Sequence, residues 1–382
     1  MFLCNCMEKK IMKNIIVILG TRPEAIKLAP VILELRKNPE YRVFVCNTEQ
    51  QKELSNQTLG FFGIKADFNL DVMRPNQTLA GVQSRILTAL SDVFQSNHFD
   101  ATIVQGDTMT VFCGALVSFY NRVPVFHVEA GLRSYDLFEP FPEEAMRQMT
   151  SRITDLHFAP TQLAYDSLIK EDIPESKITL TGNTVIDALS CLSPDVLINA
   201  KAKLAKMGVI FNDKLVLVTA HRRENHGERL DRILSAIKTL THKYPDHQFI
   251  LPVHPNPNVH DKVYAALENI PNVILTNPLD YPELVCLMQN TKLVLTDSGG
   301  IQEEAPTFGN PVLVMRYETE RTEGVTAGFA KLVGADIDKI LSESDAVLSR
   351  NKSETRLDGT QNPYGDGHAS EKIATAIKGF WK

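Results

Sequence analysis

Residues 14–24, Asn14-Ile-Ile-Val-Ile-Leu19 followed by Gly20-Thr-Arg-Pro-Glu24, decide the fold class of this chain. The first six form a short, mostly apolar run of the kind found in buried parallel strands. The stretch from Ala25 to Lys37 is helix-like. Before it, Thr21 and Glu24 have the spacing of a capping box, and Pro23 suits a first helical turn. The sequence therefore predicts a strand, a tight loop and a helix, the opening unit of a parallel α/β sheet.

The loop between this strand and helix has the features of an anion-binding site. Exposed N–H groups at a helix start attract an anion, and Arg22 and Lys27 add positive charge beside them. The G-x-G-x-x-G dinucleotide fingerprint and the Lys-Ser/Thr of a Walker A loop are both missing from it. We therefore expect a phosphate-directed loop of another kind. The alternative is an ordinary capped helix with solvated basic residues.

Strand-like and helix-like stretches alternate along the rest of the chain, as they do in doubly wound α/β folds. The first set of predicted strands comprises residues 14–19, 41–46, 101–105, 123–128, 156–159 and 178–181. The pattern restarts after residue 185, with predicted strands at 215–219, 248–253, 273–275, 293–296 and 312–315. We predict two doubly wound Rossmann-like domains, whose ligands bind at the carboxyl ends of the strands.

Composition narrows the class of protein. The chain has 382 residues, a net charge of −6 and no long basic run, which argues against nucleic acid or an anionic membrane surface as a partner. No apolar stretch reaches the roughly 18 residues of a membrane-spanning helix. The six cysteines lack zinc-site spacing, so we expect no metal and a reducing, cytoplasmic setting. Residues 1–11 are predicted to be a loose N-terminal extension.

Two groups of residues that follow predicted strands could carry chemistry. In the first half these are Asp107, Glu129 and Glu143, although Asp107 and Glu143 could be helix caps and Glu129 could pair with Arg133. In the second half, Asp297-Ser298-Gly299-Gly300 lets a backbone approach a pyrophosphate, and a glutamate one turn later could accept ribose hydroxyls. His221-Arg-Arg-Glu224 offers cations to a phosphate. The alternatives are a plain strand–helix turn and a solvated basic loop.

The ordered set of motifs resembles the non-hydrolysing UDP-N-acetylglucosamine 2-epimerases. The motifs that carry the resemblance are Gly20-Thr-Arg-Pro-Glu-Ala-Ile-Lys27, Gly106-Asp-Thr108, His127-Val-Glu-Ala-Gly-Leu-Arg133, Pro142-Glu-Glu-Ala-Met-Arg147, Thr181-Gly-Asn-Thr-Val-Ile-Asp187, His221-Arg-Arg-Glu224, Asp297-Ser-Gly-Gly-Ile-Gln-Glu-Glu-Ala305 and Asn362-Pro-Tyr-Gly-Asp-Gly367. The resemblance implies a GT-B type fold, with the two domains facing across a cleft. We expect an N-terminal catalytic domain at 12–185, a UDP-binding domain at 186–367, and a C-terminal helix at 368–382 that crosses back to the first domain.

The resemblance also implies the site residues and the reaction. Its catalytic candidates are Asp107, Glu129, Glu143 and His221. Its substrate-binding candidates are Arg22, Lys27, Arg147, Ser298, Gly299, Gly300, Glu304 and Arg321. The expected partner is a UDP-N-acetylhexosamine, in a cytoplasmic homodimer that supplies surface polysaccharide synthesis. Because C2 of this sugar bears nitrogen and hydrogen, it cannot pass through a ketone. UDP must therefore leave C1 first, giving a 2-acetamidoglucal, and no NAD or other cofactor is expected.

Several positions depart from the family pattern. The family's Thr-Ala-Gln-His-Arg-Glu reads Thr48-Glu-Gln-Gln-Lys-Glu53 here, and in bacterial members this segment lines a second pocket for the activator UDP-N-acetylglucosamine. The candidates for such a pocket are Gln50, Gln51, Glu53, Gln77 and His254. Met109, Met146, Tyr317-Glu318 and Thr322 also replace usual residues, which leaves a modified UDP-N-acetylhexosamine open as substrate. A GT-B glycosyltransferase is the second alternative, although it would not need three convergent carboxylates.

Overall fold

The structure is a computed structural model that describes residues 12–75 and 77–381. The predicted N-terminal extension, residues 1–11, lies outside the described residues. The described chain forms two compact units, and each has its own core. Unit 1 runs through Cys191 and includes the chain from Gly367 onward, and unit 2 is Leu192–Asp366.

Unit 1 is built on a seven-stranded parallel sheet with helices between the strands. Its strands are β1 Lys13–Leu19, β2 Tyr41–Asn47, β3 Phe68–Asn69, β4 Ala101–Gln105, β5 Val125–Val128, β6 Leu156–Ala159 and β7 Ile178–Leu180. Its helices are α1 Arg22–Arg36, α2 Lys52–Phe61, α3 Leu79–Ser96, α4 Met109–Tyr120, α5 Glu143–Arg152, α6 Gln162–Lys170 and α7 Thr184–Cys191. The spatial order β3-β2-β1-β4-β5-β6-β7 reverses direction at β1 and β4. Loops at the carboxyl ends of such neighbouring strands form ligand sites.

Unit 2 repeats the plan with six parallel strands in the order β10-β9-β8-β11-β12-β13. Its strands are β8 Leu215–Thr219, β9 Gln248–Pro252, β10 Val273–Thr276, β11 Leu293–Thr296, β12 Val312–Val314 and β13 Ala330–Leu332. Its helices are α8 Pro194–Lys206, α9 Glu228–Lys243, α10 Pro257–Leu267, α11 Tyr281–Asn290, α12 Gly299–Glu304, α13 Thr322–Thr326, α14 Ile337–Leu348 and α15 Lys352–Thr355. Short 3-10 turns occur at Glu175–Lys177, Arg223–Asn225, Ala305–Phe308 and Gly359–Gln361. The reversal at β8 and β11 brings the loops after these strands together.

The last helix, α16 Ala369–Phe380, packs in unit 1 against α1 and α7. Asp187 of α7 holds its start, because the carboxylate accepts hydrogen bonds from the backbone N–H of Ser370 at 2.7 Å and from its hydroxyl at 2.6 Å. At its other end, the Trp381 ring lies 5.6 Å from Tyr41 and 6.0 Å from Phe126. Asp187, the last residue of a family motif, therefore anchors the C-terminal helix.

The two parallel α/β sheets confirm the predicted fold class. All eleven predicted strands are present, four with the predicted bounds and seven with an end shifted by one or two residues. The short strands β3 and β13 were not predicted, because their sequences, Phe-Asn and Ala-Lys-Leu, form no apolar run. Helix α7 ends at Cys191, and Ser193 caps the start of α8 by accepting the Val196 N–H. Among the described residues, the helices are all too short or too polar to cross a membrane.

Candidate active site

The loop between β1 and α1 is fixed by Glu24 and by a close backbone approach. One carboxylate oxygen of Glu24 accepts the N–H groups of Gly20 at 2.6 Å and Thr21 at 3.0 Å, as the capping-box spacing predicts. A Cβ on Gly20 would lie 2.1 Å from the hydroxyl oxygen of Thr48, so only glycine fits there. These contacts fix the position of the start of α1, which carries Arg22.

Glu129 lies in an ion pair with Lys27. The Lys27 ammonium is 2.5 Å from one carboxylate oxygen of Glu129, and the Gln105 amide donates to the same oxygen at 2.7 Å. Both charged side chains are nearly buried, with exposures of 10% and 9%. Glu129 also has φ of 62°, a left-handed conformation that costs a non-glycine residue on the order of 1 kcal/mol and is found disproportionately at functional sites.

Arg133 is not the partner of Glu129. Its fully buried guanidinium forms a two-bond pair with Glu171, at 2.6 and 2.9 Å, and also donates to the Ser151 hydroxyl. The alternative of a Glu129–Arg133 pair is therefore wrong. Arg133 instead braces the segment that follows β5.

Asp107 is bonded to Arg147, which reaches it from α5. Arg147 is also 3.2 Å from Glu144, a fully buried carboxylate that accepts the Ser134 N–H at 3.0 Å and the Gln148 amide at 2.7 Å. Glu144 thus orients Arg147, a role that the sequence analysis did not assign to it. Its signal was its place in the Pro142–Arg147 motif.

Asp107, Glu129 and Arg147 line one small depression in unit 1, together with Gly106 and Arg133. Glu143 is the first residue of α5, where the helix dipole favours a negative charge, and it lies one turn before Arg147. Asp107 and Glu129, the two predicted catalytic carboxylates that line the depression, are each paired with a positively charged side chain, Arg147 and Lys27 respectively.

Burial shifts the pKa of two other groups near these loops, Glu24 and His127. Burial raises the pKa of Glu24 to about 7, the charge of Asp107 adds to this, and hydrogen bonds from Thr108, Gly20 and Thr21 oppose it. Burial lowers the pKa of His127 to about 4 despite a bond from its Nε2 to the Gly106 carbonyl oxygen at 2.7 Å. Glu24, which the sequence analysis treated only as a helix cap, is thus a carboxyl group that can hold a proton near neutral pH.

In unit 2, Asp297 organises the loop that carries His221. Its buried carboxylate accepts the N–H groups of His221 and Arg222 at 3.0 and 2.9 Å, and it lies 3.1 Å from the His221 Nδ1. Burial alone would raise the pKa of Asp297, but the hydrogen bond and charge of His221, together with bonds from the Arg222 backbone and the Asn225 side chain, outweigh it and lower the pKa. The side-chain amide of Asn225 adds a further bond at 3.0 Å. The loop after β8 is therefore fastened to the loop after β11.

The predicted pyrophosphate loop includes Ser298, which occupies the N-cap position of α12 without a side-chain capping bond. A Cβ on Gly299 would lie 3.2 Å from the guanidinium carbon of Arg321, so the glycine admits this side chain close to the backbone. Arg321 in turn donates to Glu303 at 2.9 Å. Glu304 is buried one turn into the helix and lies near Gly300. The loop thus brings Ser298, Gly299, Gly300, Glu304 and Arg321 together within unit 2.

The motif at residues 362–367 forms hydrogen bonds to the backbone of this loop and of the segment that follows it. The Asn362 amide donates to the Glu303 carbonyl oxygen at 3.1 Å, and the buried Tyr364 hydroxyl donates to the Arg321 carbonyl oxygen at 3.0 Å. The same hydroxyl accepts the Gly324 N–H at 3.0 Å. These two residues matched the family motif without an assigned role; in the structure Asn362 holds the backbone of α12 at Glu303, and Tyr364 holds the backbone at Arg321 and Gly324.

His254 belongs to the same region as His221. Their rings stack at 6.2 Å between centroids with an angle of 14°. Burial and the nearby His221 lower the pKa of His254. Whatever ligand His254 meets, it therefore shares the surroundings of His221.

Three candidates for a second pocket, Gln50, Gln51 and Gln77, accept internal hydrogen bonds. The side-chain amide oxygen of Gln50 accepts from the Thr110 hydroxyl at 3.0 Å, and that of Gln51 accepts the Arg22 N–H at 3.0 Å. The side-chain oxygen of Gln77 accepts from Arg74 and Arg85. Glu53 is exposed in the first turn of α2. Gln51 therefore links this segment directly to the start of α1.

Two departures from the family pattern turn inward. Met109 and Met146 are 6% and 7% exposed and belong to the same apolar core cluster of unit 1. They pack in the core, so their replacement of polar residues bears on packing and gives no evidence for a different sugar. Among residues 12–75 and 77–381, no three His, Cys, Asp or Glu side chains are grouped to hold a metal ion.

The two parallel sheets with helices between their strands place the protein in the class of two-unit α/β folds. A glycosyltransferase structure from Rickettsia africae aligns over 97% of this chain and 99% of its own with a TM-score of 0.61, but at 11% identity it shows the fold alone.

The chain itself belongs to the UDP-N-acetylglucosamine 2-epimerase family, whose model matches residues 33–378. It is 44% identical over 367 residues to the UDP-N-acetylglucosamine 2-epimerase of Neisseria meningitidis, covering 95% of this chain and 99% of that protein. The crystal structure of the UDP-GlcNAc 2-epimerase from Neisseria meningitidis bound to UDP-GlcNAc aligns with a TM-score of 0.85 and 43% identity, over 96% of this chain and all of that one. The resemblance inferred from the motifs is confirmed.

The Tyr364 bonds predict how the loop around Arg321 responds to mutation. Tyr364→Phe leaves the Gly324 N–H and the Arg321 carbonyl oxygen without this partner, which should lower the free energy of unfolding by about 1–3 kcal/mol and weaken UDP binding. Urea unfolding and calorimetric titration with UDP measure both. Tyr244→Phe, which removes a hydroxyl bonded to Asp345 elsewhere in unit 2, is the matched control and should leave UDP affinity unchanged. Equal UDP affinities for the two variants would contradict the role of Tyr364.

Proposed function

We propose that this chain reversibly converts UDP-N-acetylglucosamine to UDP-N-acetylmannosamine without hydrolysing it, as an isomerase that supplies surface polysaccharide synthesis. Membership of the 2-epimerase family is the observation that carries this proposal. The paired carboxylates in the depression of unit 1 and the braced loop after β11 support it. The proposed route is elimination of UDP, formation of a 2-acetamidoglucal, and return of UDP to the inverted sugar.

The carboxylates Asp107, Glu129 and Glu143 are proposed to move the C2 proton. The C2 hydrogen is not acidic in the intact sugar, so it can leave only after C1 has become oxocarbenium-like. One carboxylate must then accept a proton on one face of the ring and another must donate one on the opposite face. Lys27 and Arg147 favour this chemistry, because each fixes the position of a carboxylate oxygen through a short ion pair.

Stabilisation of the leaving diphosphate is the second requirement. His221 is proposed to face the departing pyrophosphate, and the fixed bonds from Asp297 to its backbone and ring support that orientation. Ser298, Gly299 and Gly300 are proposed to bind the pyrophosphate, with Glu304 for the ribose. Arg321, Arg22, Lys27 and Arg147 complete the proposed set of phosphate and sugar contacts.

Deuterium incorporation tests the reaction. Incubation with UDP-N-acetylglucosamine in D2O without NAD should give UDP-N-acetylmannosamine that carries deuterium at C2. NMR spectra recorded during the incubation measure this deuterium. Asp107→Asn and Glu143→Gln should each slow the reaction by about 10²- to 10⁴-fold, because a positioned acid or base is lost. Asp166→Asn, an exposed change on α6, is the control and should be neutral. Product with its original hydrogen would contradict the proton exchange, and free N-acetylmannosamine with UDP would indicate a hydrolysing enzyme.

Weak or absent activation by a second UDP-N-acetylglucosamine is also proposed. Lys52, which stands for the family's Arg, lies 2.9 Å from Asp71 and 3.6 Å from Glu49. Glu49 stands where the family has Ala and is 4% exposed. A nearby carboxylate repels a diphosphate, and lysine lacks the two-bond fork of arginine. Gln51 cannot carry the charge of the family's His.

Rates should therefore rise almost hyperbolically with UDP-N-acetylglucosamine, and UDP-N-acetylmannosamine should react in reverse without any of the gluco form. The triple variant Glu49→Ala, Gln51→His and Lys52→Arg restores the family residues and should make the curve more sigmoidal. Steady-state kinetics of both proteins decides this. A strongly sigmoidal curve for the unmodified chain would show that the altered segment still binds an activator.

A homodimer is the proposed assembly, formed through the face of unit 1 near α4 and α5. Phe119 and Tyr120 at the end of α4 are 56% and 69% exposed, and Met149 on the neighbouring α5 is 46% exposed. Exposed apolar groups in one region mark interaction surfaces. The cytoplasm is the proposed location, which four free cysteines among the described residues support.

Size-exclusion chromatography with light scattering measures the molar mass of the protein and so tests the dimer. Phe119→Asp with Tyr120→Asp should convert a dimer into a monomer, because two charges would have to be buried. Ile198→Asp, at a 63% exposed position on α8 in unit 2, should leave the dimer intact. A monomeric unmodified chain, or equal behaviour of the two variants, would contradict this surface.

A further inference from the structure

The buried carboxylate of Glu24 joins two loops that each carry a proposed site residue. One oxygen accepts the N–H groups of Gly20 and Thr21 in the β1–α1 loop. The other accepts the hydroxyl of Thr108, which directly follows Asp107. Thr108 is also the N-cap of α4, because its hydroxyl oxygen accepts the Val111 N–H at 3.4 Å. Glu24 is 2% exposed, so water does not compete for these bonds.

We infer that Glu24 is a positioning residue for the epimerisation, holding the Asp107 loop against the helix start that carries Arg22, and that its ionised form is the productive one. This inference rests on the proposed function. Glu24 acts here through Thr108 and the backbone, and it need not touch the substrate. A capping glutamate would need only the first loop, whereas this one also bonds the second.

The geometry explains why the charge of Glu24 matters. The ionised carboxylate accepts all three hydrogen bonds at once. Because two N–H groups point at one oxygen, an added proton must sit on the oxygen that faces Thr108. The Thr108 hydroxyl must then accept from Glu24 while still accepting from Val111, and its own hydrogen has to turn elsewhere. Protonation therefore reverses the bond that holds the Asp107 loop.

The charged groups near Glu24 lie in the β4–α4 loop and on α1. On the β4–α4 side, Asp107 acts on it and is itself bonded to Arg147. On its own helix, Arg22 lies two residues before it, and Lys27 is bonded to Glu129. The pKa of Glu24, raised to about 7 mainly by burial, places the change between its two forms near neutral pH.

The pH dependence of kcat tests this inference. Between pH 6 and 8 the ionised fraction of a group with a pKa of about 7 rises roughly tenfold, so kcat of the unmodified enzyme should rise by a similar factor. Glu24→Gln cannot ionise, so its kcat at pH 8 should drop to about the level seen at pH 6 and stay flat across this range. Glu34→Gln, on the same helix at a surface pair with Lys37, should keep the unmodified profile. An unchanged profile and kcat in Glu24→Gln would overturn the inference.

Variants of Thr108 decide the matter if Glu24→Gln does not fold. Thr108→Ser keeps the hydroxyl and should retain kcat and its pH profile, whereas Thr108→Val removes the bond and should lose the pH 8 rate. Equal rates for the two variants would overturn the inference, since the link to the Asp107 loop would then be irrelevant.

Unfolding experiments separate this inference from the proposed function. A carboxyl whose pKa is raised on folding stabilises the protein fully below its unfolded pKa of about 4.5, and this stabilisation is lost as the pH rises to about 7. Glu24→Gln should remove that part of the pH dependence, and an unchanged dependence would contradict a buried titrating Glu24. If the unmodified chain shows no epimerisation, the proposed function fails. If it is active and Glu24→Gln behaves identically to it, only the role of Glu24 fails.

Discussion

Carboxylates buried at the ends of parallel strands are the constraint on which the rest of this structure depends. A carboxylate removed from water is tolerated only when it is paired or accepts hydrogen bonds. In unit 1, the nearly buried Glu129 has Lys27, and Asp107, whose side chain is 30% exposed, has Arg147. In unit 2, Asp297 accepts the backbone of the His221 loop. Each pairing fixes a loop as well as a charge, so the requirement of burial also produces a rigid site.

Residues that contact the site side chains are themselves held by hydrogen bonds and ion pairs. Glu144 orients Arg147 while holding the backbone of Ser134, and Tyr364 holds the backbone at Arg321 and Gly324. A site built this way is positioned before any ligand binds, which reduces the reorganisation needed in a transition state. Motif residues distant in sequence thus contact one another within each unit.

Four of the departures from the family pattern fall into two physical kinds. Met109 and Met146 lie in one apolar core cluster, where a paired replacement of polar by apolar residues can preserve packing. Glu49 and Lys52 instead change the charge of a segment that bonds to the start of α1 through Gln51. The first kind leaves the proposed reaction untouched, and the second bears on its regulation.

The sequence by itself determined the two α/β units, most strand positions, the family and the motif residues. These follow from local apolar runs, capping patterns and the order of motifs, which the tertiary structure does not need to supply. Tertiary structure decided the partners of the charged side chains. Arg133 forms its ion pair with Glu171 rather than Glu129, and Glu24 accepts a hydrogen bond from Thr108. It also decided the short edge strands β3 and β13 and the raised pKa of Glu24. Partners separated by tens of residues, and the burial that shifts a pKa, arise only when the chain folds back on itself, so no local pattern contains them.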